Sequence, residues 1–306
     1  MSFEHPLAYL LGIEGIALMR SYAGESDRAF FDARLAEIRR LLDDDLLAGS
    51  GVEVARVDPA EGYRIWSGTY DLPNTAFDFD EPIVGEILDT VPAGVAVDAA
   101  CGTGRMAALL AARGHRVIGV DGSPEMLAFA RKRVPEGEFT AGDLSALPIP
   151  DGVADLVVCS LALTHVRALE PVMAEFARVL RPGGQLVISD IHPDSVARGL
   201  NPSVRLEDGR PGRITSYPHA IGHYVRSALA AGLQVRRCEE PGSRSPGVGE
   251  ELPTAEAIEP WDVRPWNLAA LAPEAVHAAD HDVPVMVIWQ FERTSATGRT
   301  RAGGRG

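Results

Sequence analysis

The chain has 306 residues, is 46% hydrophobic and carries a formal net charge of −14 at pH 7. That length and apolar content allow a full core, with one large domain plus additions as the expected layout. The acidity argues against binding nucleic acid through a broad basic face. Cys101, Cys159 and Cys238 lie far apart with no C-x-x-C spacing, which gives no metal pattern and leaves them as reduced, apolar residues.

The apolar run Leu7 to Met19 is interrupted by Glu14 and is too short for a span of about 20 residues. It lacks a basic leading segment and a small-residue cleavage pattern, so no membrane association is expected and a cytoplasmic location is the default. Residues 7–47 read as two helices. The second begins at about Asp27, with Ser26 as N-cap, and carries Phe30, Phe31, Leu35, Ile38, Leu41 and Leu42 at helical spacing. A short strand follows at Val52 to Val57. The segment Tyr63 to Asp71 then leads through a polar turn to a helix near Glu81 to Leu88. Residues 1–80 are expected to form an N-terminal helical cap.

From Gly94 onward strands and helices alternate, the pattern of a parallel sheet. Strand Val95 to Ala99 is followed by helix Met106 to Arg113, and strand Arg116 to Val120 by helix Pro124 to Arg133. Ser123 caps the second of these helices, with Pro124 at its first position. Strands at Glu138 to Ala141 and Asp155 to Leu161, a helix at Pro171 to Leu180, a sharp turn at Arg181-Pro182-Gly183-Gly184 and a strand at Gln185 to Asp190 complete the alternation. Pro193 to Tyr217 reads as loop. Its arginines Arg198, Arg205, Arg210 and Arg213 suggest an acceptor bearing an anionic group. A helix at His223 to Ala231 and strands at Leu233 to Cys238 and Val283 to Phe291 follow, the two strands separated by a Pro- and Gly-rich insertion over 239–282. Residues 81–293 are expected as one domain, with the 193–223 loop and this insertion over the acceptor cleft. The 294–306 tail, rich in Gly, Arg and Thr, is expected to be disordered.

The chemistry concentrates at Asp98-Ala99-Ala100-Cys101-Gly102-Thr103-Gly104-Arg105. Gly102 and Gly104 remove Cβ atoms where a ligand approaches backbone. Asp98 ends one strand and Asp121 ends the next, where a ribose-binding acid is expected. The same stretch formally satisfies G-x-G-x-x-G/A. A pyrophosphate, however, wants a helix N-terminus without a negative neighbour, and Asp98 is one. A ligand with an ammonium group beside its ribose fits two acids better, and S-adenosylmethionine is such a ligand.

At these residues the chain resembles the class I S-adenosylmethionine-dependent methyltransferases. Gly142-Asp143-Leu144, Ala154-Asp155-Leu156-Val157-Val158-Cys159 and Arg178-Val179-Leu180-Arg181-Pro182-Gly183-Gly184 look like later motifs of that family in order. They are similar to the ubiquinone/menaquinone-biosynthesis-type, small-molecule branch. The resemblance implies an α/β fold, a Rossmann-like seven-stranded sheet, mostly parallel with one reversed strand, behind the N-terminal cap. It implies cofactor contacts from Asp98, Ala100, Gly102 and Gly104, from Asp121, Gly122 and Met126, and from Asp143, Leu144 and Ser160. Tyr70 and Trp66 stand where related enzymes close over the cofactor, or else anchor the N-terminal helices as ordinary aromatics.

On the acceptor side, Cys159-Ser160-Leu161-Ala162-Leu163 lacks the Asn/Asp-Pro-Pro-Tyr sequence used to hold a planar amide or amine. His165 stands near the expected methyl position, as general base or as pocket lining. His192, His219 and His223 also fall near the sheet's C-terminal edge. The expected function is methyl transfer to a small organic molecule in secondary metabolism, without a metal, by a monomer or homodimer that binds no nucleic acid. Protein or RNA methylation, a non-catalytic S-adenosylmethionine-binding regulator and a nucleotide-dependent oxidoreductase are the alternatives.

Overall fold

The computed structural model describes residues 1–24, 26–72, 75–242, 254, 257–258 and 260–294. The expected disordered tail beyond Thr294 and much of the 239–282 insertion (243–253, 255–256 and 259) lie outside the described residues.

Strand β1 (Ser2–Glu4) precedes helices α1 (Pro6–Arg20), α2 (Arg28–Leu42) and α3 (Asp45–Ala48). The cap of α2 is Asp27, whose Oδ1 accepts the Phe30 N–H at 2.8 Å, rather than the expected Ser26. A carboxylate satisfies the free N–H and also complements the helix dipole, which an uncharged serine does not. Strand β2 (Val52–Val57) falls where expected, and α4 (Pro59–Trp66) follows. Helix α5 spans Thr75–Leu88, a full turn and a half before its expected start at Glu81. Pro82 stands inside this helix.

Next come β3 (Val95–Ala99), α6 (Arg105–Ala112), β4 (Arg116–Asp121), α7 (Pro124–Arg133), β5 (Glu138–Ala141), β6 (Ala154–Ser160) and α8 (Leu169–Val179), close to their expected bounds. Strand β7 (Leu180–Ile191) starts earlier than Gln185. The expected turn is a bulge inside it, with Gly183 at φ +80° and the pairing to β6 shifting between Ala154 and Leu156. Then follow α9 (Pro193–Ala197), β8 (Ser203–Arg205), β9 (Pro211–Ile214), α10 (Ile221–Ala230), β10 (Leu233–Glu239), α11 (Pro273–Asp280) and β11 (Met286–Arg293). Among the described residues no helix is long and apolar enough to cross a membrane.

The chain divides into two compact units, and the division differs from the expected boundary at residue 80. One unit contains Met1–Ile65, Gly199–Thr215 and Gly242–Val285. Its four-stranded sheet runs β1-β2-β9-β8, with β2 and β9 parallel. The stretch expected as loop over 193–217 therefore holds a helix and two strands. Strands of three and four residues are too short for their periodicity to register in sequence. Gly212 lets β9 lie close to β2, since a Cβ there would come within 2.6 Å of Val57 Cγ2. Leu10, Ile13 and Ala17 of α1 pack with Leu41, Leu271, Ala275 and Ala279. Three of the four loop arginines pair inside this unit: Arg205 with Asp262 at 2.9 Å, Arg210 with Asp208 at 2.7 Å and Arg213 with Glu4 at 2.5 Å. They do not form the free cationic patch that an anionic acceptor would need.

The other unit contains Trp66–Arg198, Ser216–Pro241 and the chain from Met286 onward. Its seven strands run β10-β11-β7-β6-β3-β4-β5. All pairs are parallel except those of β11, which runs antiparallel to both β7 and β10. Both faces are covered. Val97, Val157 and Cys159 pack with Met173, Phe176, Tyr224 and Ala228 of α8 and α10. Ala96, Leu156 and Val158 pack with Val84, Ile87, Met106 and Leu110 of α5 and α6. This double coverage explains the unbroken apolar run of β6. The strand order reverses beside β3, and a crevice outside the carboxyl ends of the strands at such a point is where open α/β sheets bind ligands.

Candidate active site

The loop after β3 is held in a conformation that few residues adopt. Ala100, Gly102 and Gly104 have φ of +59°, +52° and +84°. A non-glycine residue there is strained, and such strain collects at functional sites. The two glycines serve different ends. A Cβ on Gly102 would meet nothing within 4 Å, so that position faces open space. A Cβ on Gly104 would lie 3.0 Å from the Ala130 Cα, so that glycine lets α6 lie against α7. Close ligand approach, expected of both, thus fits Gly102, whereas Gly104 is fixed by its φ and its packing.

Two acids flank the loop. Asp121 half-buries its carboxylate between the turns: Oδ2 accepts from Gly102 N at 2.7 Å and Oδ1 from Ser123 N at 2.8 Å. Burial raises its pKa, while these backbone donors pull it down. Asp98 is buried, and its Oδ2 has no hydrogen-bond partner. Desolvation pushes this carboxyl up to about 7, against the Ala107 N–H and the Arg105 charge, which lower it. An orphaned, buried carboxylate oxygen beside an open glycine loop is an acceptor that an ammonium group can satisfy.

The remaining cofactor candidates stand around this loop. Gly142 N donates to Asp121 O at 3.1 Å, joining the ends of β4 and β5 near Gly122. Met126 is fully buried in the first turn of α7, which Ser123 Oγ caps by accepting from Met126 N at 3.2 Å. Asp143 is exposed, and its Oδ1 holds Ser145 through N at 2.7 Å and Oγ at 2.5 Å, which lowers its pKa. Leu144 packs partly on the core. Tyr70 meets Trp66 edge-on at 5.3 Å and lies 5.6 Å from Phe77, and burial pushes its phenol up to about 12. Asp71 accepts from Thr103 Oγ1 at 2.7 Å and pairs with Arg133 at 2.6 Å, which fastens the Tyr70-Asp71 step to the glycine loop.

Asp80 has no counterpart in the sequence reading. It is completely buried and forks onto Arg105, with both N–O distances 2.9 Å. It also accepts from Ser160 Oγ at 2.7 Å and Ser189 Oγ at 2.9 Å. A signal was available, because Asp80 shares the helical face of Phe77, Val84 and Ile87, and an acid on an apolar stripe needs a buried partner.

At the exits of β6 and β7, Leu161 has φ +55° and donates its N–H to Ser189 O at 2.7 Å. His165 closes a short 3-10 turn, Leu163–His165, and is half-buried. Three groups fix that turn. Asp190 Oδ2 accepts from Thr164 N at 2.6 Å, Tyr217 N donates to Thr164 O at 2.7 Å, and His219 Nε2 lies 2.6 Å from Val166 O. Asp190 is fully buried, also accepts from Tyr224 Oη at 3.2 Å, and is pushed up to about 7 by desolvation. His219 is therefore a strut, lowered in pKa by burial, and His192 is another, capping α9 and contacting Glu240 at 3.0 Å. His223 is exposed. All three cysteines are free thiols.

Residues 97–188 match the family model described as "Methyltransferase domain". The chain is 34% identical over 130 residues to a demethylmenaquinone methyltransferase of Renibacterium salmoninarum, covering 40% of this chain and 55% of that protein. It is 35% identical over 138 residues to a malonyl-[acyl-carrier protein] O-methyltransferase of Serratia marcescens, covering 45% and 54%. The chain thus spans about half the length of these relatives. Among solved structures, a protein of Pyrococcus horikoshii OT3 superposes with a TM-score of 0.52 at 18% identity, covering 76% of this chain and 99% of that one. That likeness shows the shared fold.

Proposed function

We propose, from the premise that this chain carries an S-adenosylmethionine-dependent methyltransferase domain, that it methylates a small organic molecule. The observation that carries the reading is Asp98, a buried carboxylate with an unpartnered Oδ2 at the edge of an open glycine loop. A phosphate-bearing dinucleotide has no use for such a group, whereas an ammonium group satisfies it. When bound, S-adenosylmethionine supplies an electrophilic methyl group on a sulfonium.

The chain's own residues do the rest. Asp98 holds the ammonium. Asp121 gives each oxygen to one backbone N–H and keeps a lone pair on each for ribose hydroxyls. Ala100, Gly102 and Gly104 shape the loop, Ser160 stands at the methionine end, and Gly122, Met126, Asp143 and Leu144 border the base. Tyr70 and Trp66 shield the cofactor from water. Methyl transfer is an in-line displacement that orientation largely drives, so a base is needed only for a protonated nucleophile. His165, on its braced turn, takes that proton when one must be removed.

The names of the two relatives support a small organic acceptor, and the net charge of −14 disfavours RNA. The test is incubation with methyl-labelled S-adenosylmethionine and a panel of quinols, phenols, carboxylic acids and carrier-bound acyl groups. Label in a small molecule of the panel, or in an acyl group released from its carrier, is the expected result. Label only in added protein or RNA refutes the substrate class. Cofactor binding without turnover on any acceptor class supports the regulatory alternative.

A further inference from the structure

Helix α5 lies outside the matched residues 97–188, yet it places a fully buried carboxylate against the first residue after the glycine loop. Asp80 and Glu81 both pair with Arg105, at 2.9 and 3.0 Å, and Phe77 lies under the guanidinium, 4.2 Å from ring centroid to Cζ. Arg105 in turn hydrogen-bonds Ser160 at 2.8 Å and acts electrostatically on Asp98. Both residues are assigned above to the methionine end of the cofactor. An arginine is always charged. Left unneutralised there, it would oppose a sulfonium. Like charges about 10 Å apart at an effective dielectric near 20 shift an equilibrium by roughly ten- to twentyfold.

We propose that Asp80 is a selectivity residue for the charged cofactor: by neutralising Arg105 it lets the site accept the sulfonium, and it sets the relative affinity for S-adenosylmethionine and S-adenosylhomocysteine. The inference rests on the reading of the site given under Proposed function. The two ligands differ by one methyl group and the charge on sulfur, so their affinity ratio isolates the electrostatic part. The Ser160 and Ser189 hydroxyls, both donating to Asp80 Oδ2, orient the carboxylate and leave the charge balance to Arg105 and Glu81.

The test is calorimetric titration of both ligands into the parent protein, Glu81→Gln, Asp80→Asn and Asp80→Asn/Arg105→Gln. The ratio of Kd values, S-adenosylmethionine over S-adenosylhomocysteine, should rise about two- to fourfold in Glu81→Gln, whose acid is partly exposed and screened. It should rise at least about tenfold in Asp80→Asn. The double variant removes both charges and should return to within about threefold of the parent. An unmoved ratio, with both ligands weakened equally, would assign Asp80 a purely structural role and overturn the proposal. If Asp80→Asn does not fold, Glu81→Gln decides, and an unmoved ratio there overturns it. A parent protein that binds neither ligand refutes the underlying site reading, and with it the proposal.

Discussion

Replacing Asp98 by asparagine should stabilise the ligand-free protein and weaken cofactor binding at the same time. The carboxyl is raised from 3.8 to about 7 chiefly by desolvation, and its Oδ2 has no partner. An acid whose folded pKa exceeds its unfolded one favours the folded state at low pH, and stability is lost as pH rises from about 4 to about 7. With these values the buried charge costs about 4 kcal/mol at pH 8 and about 2 kcal/mol at pH 5. An asparagine carries no such cost, but its unpaired amide costs about 1–3 kcal/mol at any pH. Asp98→Asn should therefore gain about 1–3 kcal/mol at pH 8, and the difference from the parent should shrink by about 2–3 kcal/mol at pH 5. Asp190, also raised to about 7, is present in both proteins and cancels. Urea unfolding of parent and variant at several pH values between 5 and 8 measures this. A stability difference that stays constant across that range would refute the reasoning, because Asp98 would then ionise without cost.

Asp121→Ala should weaken S-adenosylhomocysteine binding by about 1–3 kcal/mol, since it unpairs Gly102 N and Ser123 N as well as the ribose; calorimetry showing equal affinity would reject the ribose assignment. The two loop glycines should separate: Gly104→Ala, with its Cβ 3.0 Å from Ala130 Cα, should lower stability by more than about 2 kcal/mol, whereas Gly102→Ala should cost about 1 kcal/mol and mainly impair binding. Thermal unfolding beside calorimetry tests both, and equal losses would contradict the division of roles. Once an acceptor whose nucleophile arrives protonated is known, His165→Ala should lower turnover by about 10²–10⁴-fold, with a smaller loss at high pH if the acceptor ionises unaided. An unchanged rate across pH would leave proximity as the main mechanism.

The parallel sheet was legible because its strands are apolar on both faces and its helices carry clear caps such as Ser123-Pro124. Asp98, Gly102, Gly104 and Asp121 stood out in the sequence because they lie at or just beyond the carboxyl ends of β3 and β4, while their ligand roles rest on the proposal above. What escaped depends on distant partners. Asp80 and Arg105 are 25 residues apart, and although the apolar stripe around Asp80 calls for a buried partner, nothing local says that the partner is Arg105. The small sheet of β1, β2, β8 and β9 pairs residues of β2 and β9 that are far apart in sequence, Ala55 with Gly212 and Val57 with Ile214, and tertiary pairing of that kind leaves no local period. Arg205 and Arg213 looked available because their partners Asp262 and Glu4 are remote in sequence.

The loop from Asp98 to Arg105, with Asp121, is proposed to bind a cofactor carrying an ammonium and a ribose but no phosphate. Calorimetric titration of the parent chain with S-adenosylmethionine, S-adenosylhomocysteine, NAD and NADP tests it most directly. Micromolar-range binding of the first two is expected, weakened in Asp98→Asn and in Asp121→Ala, with no comparable binding of the nucleotides. Binding of NAD or NADP as tight as that of S-adenosylmethionine, or S-adenosylmethionine binding unaffected by both substitutions, would contradict it.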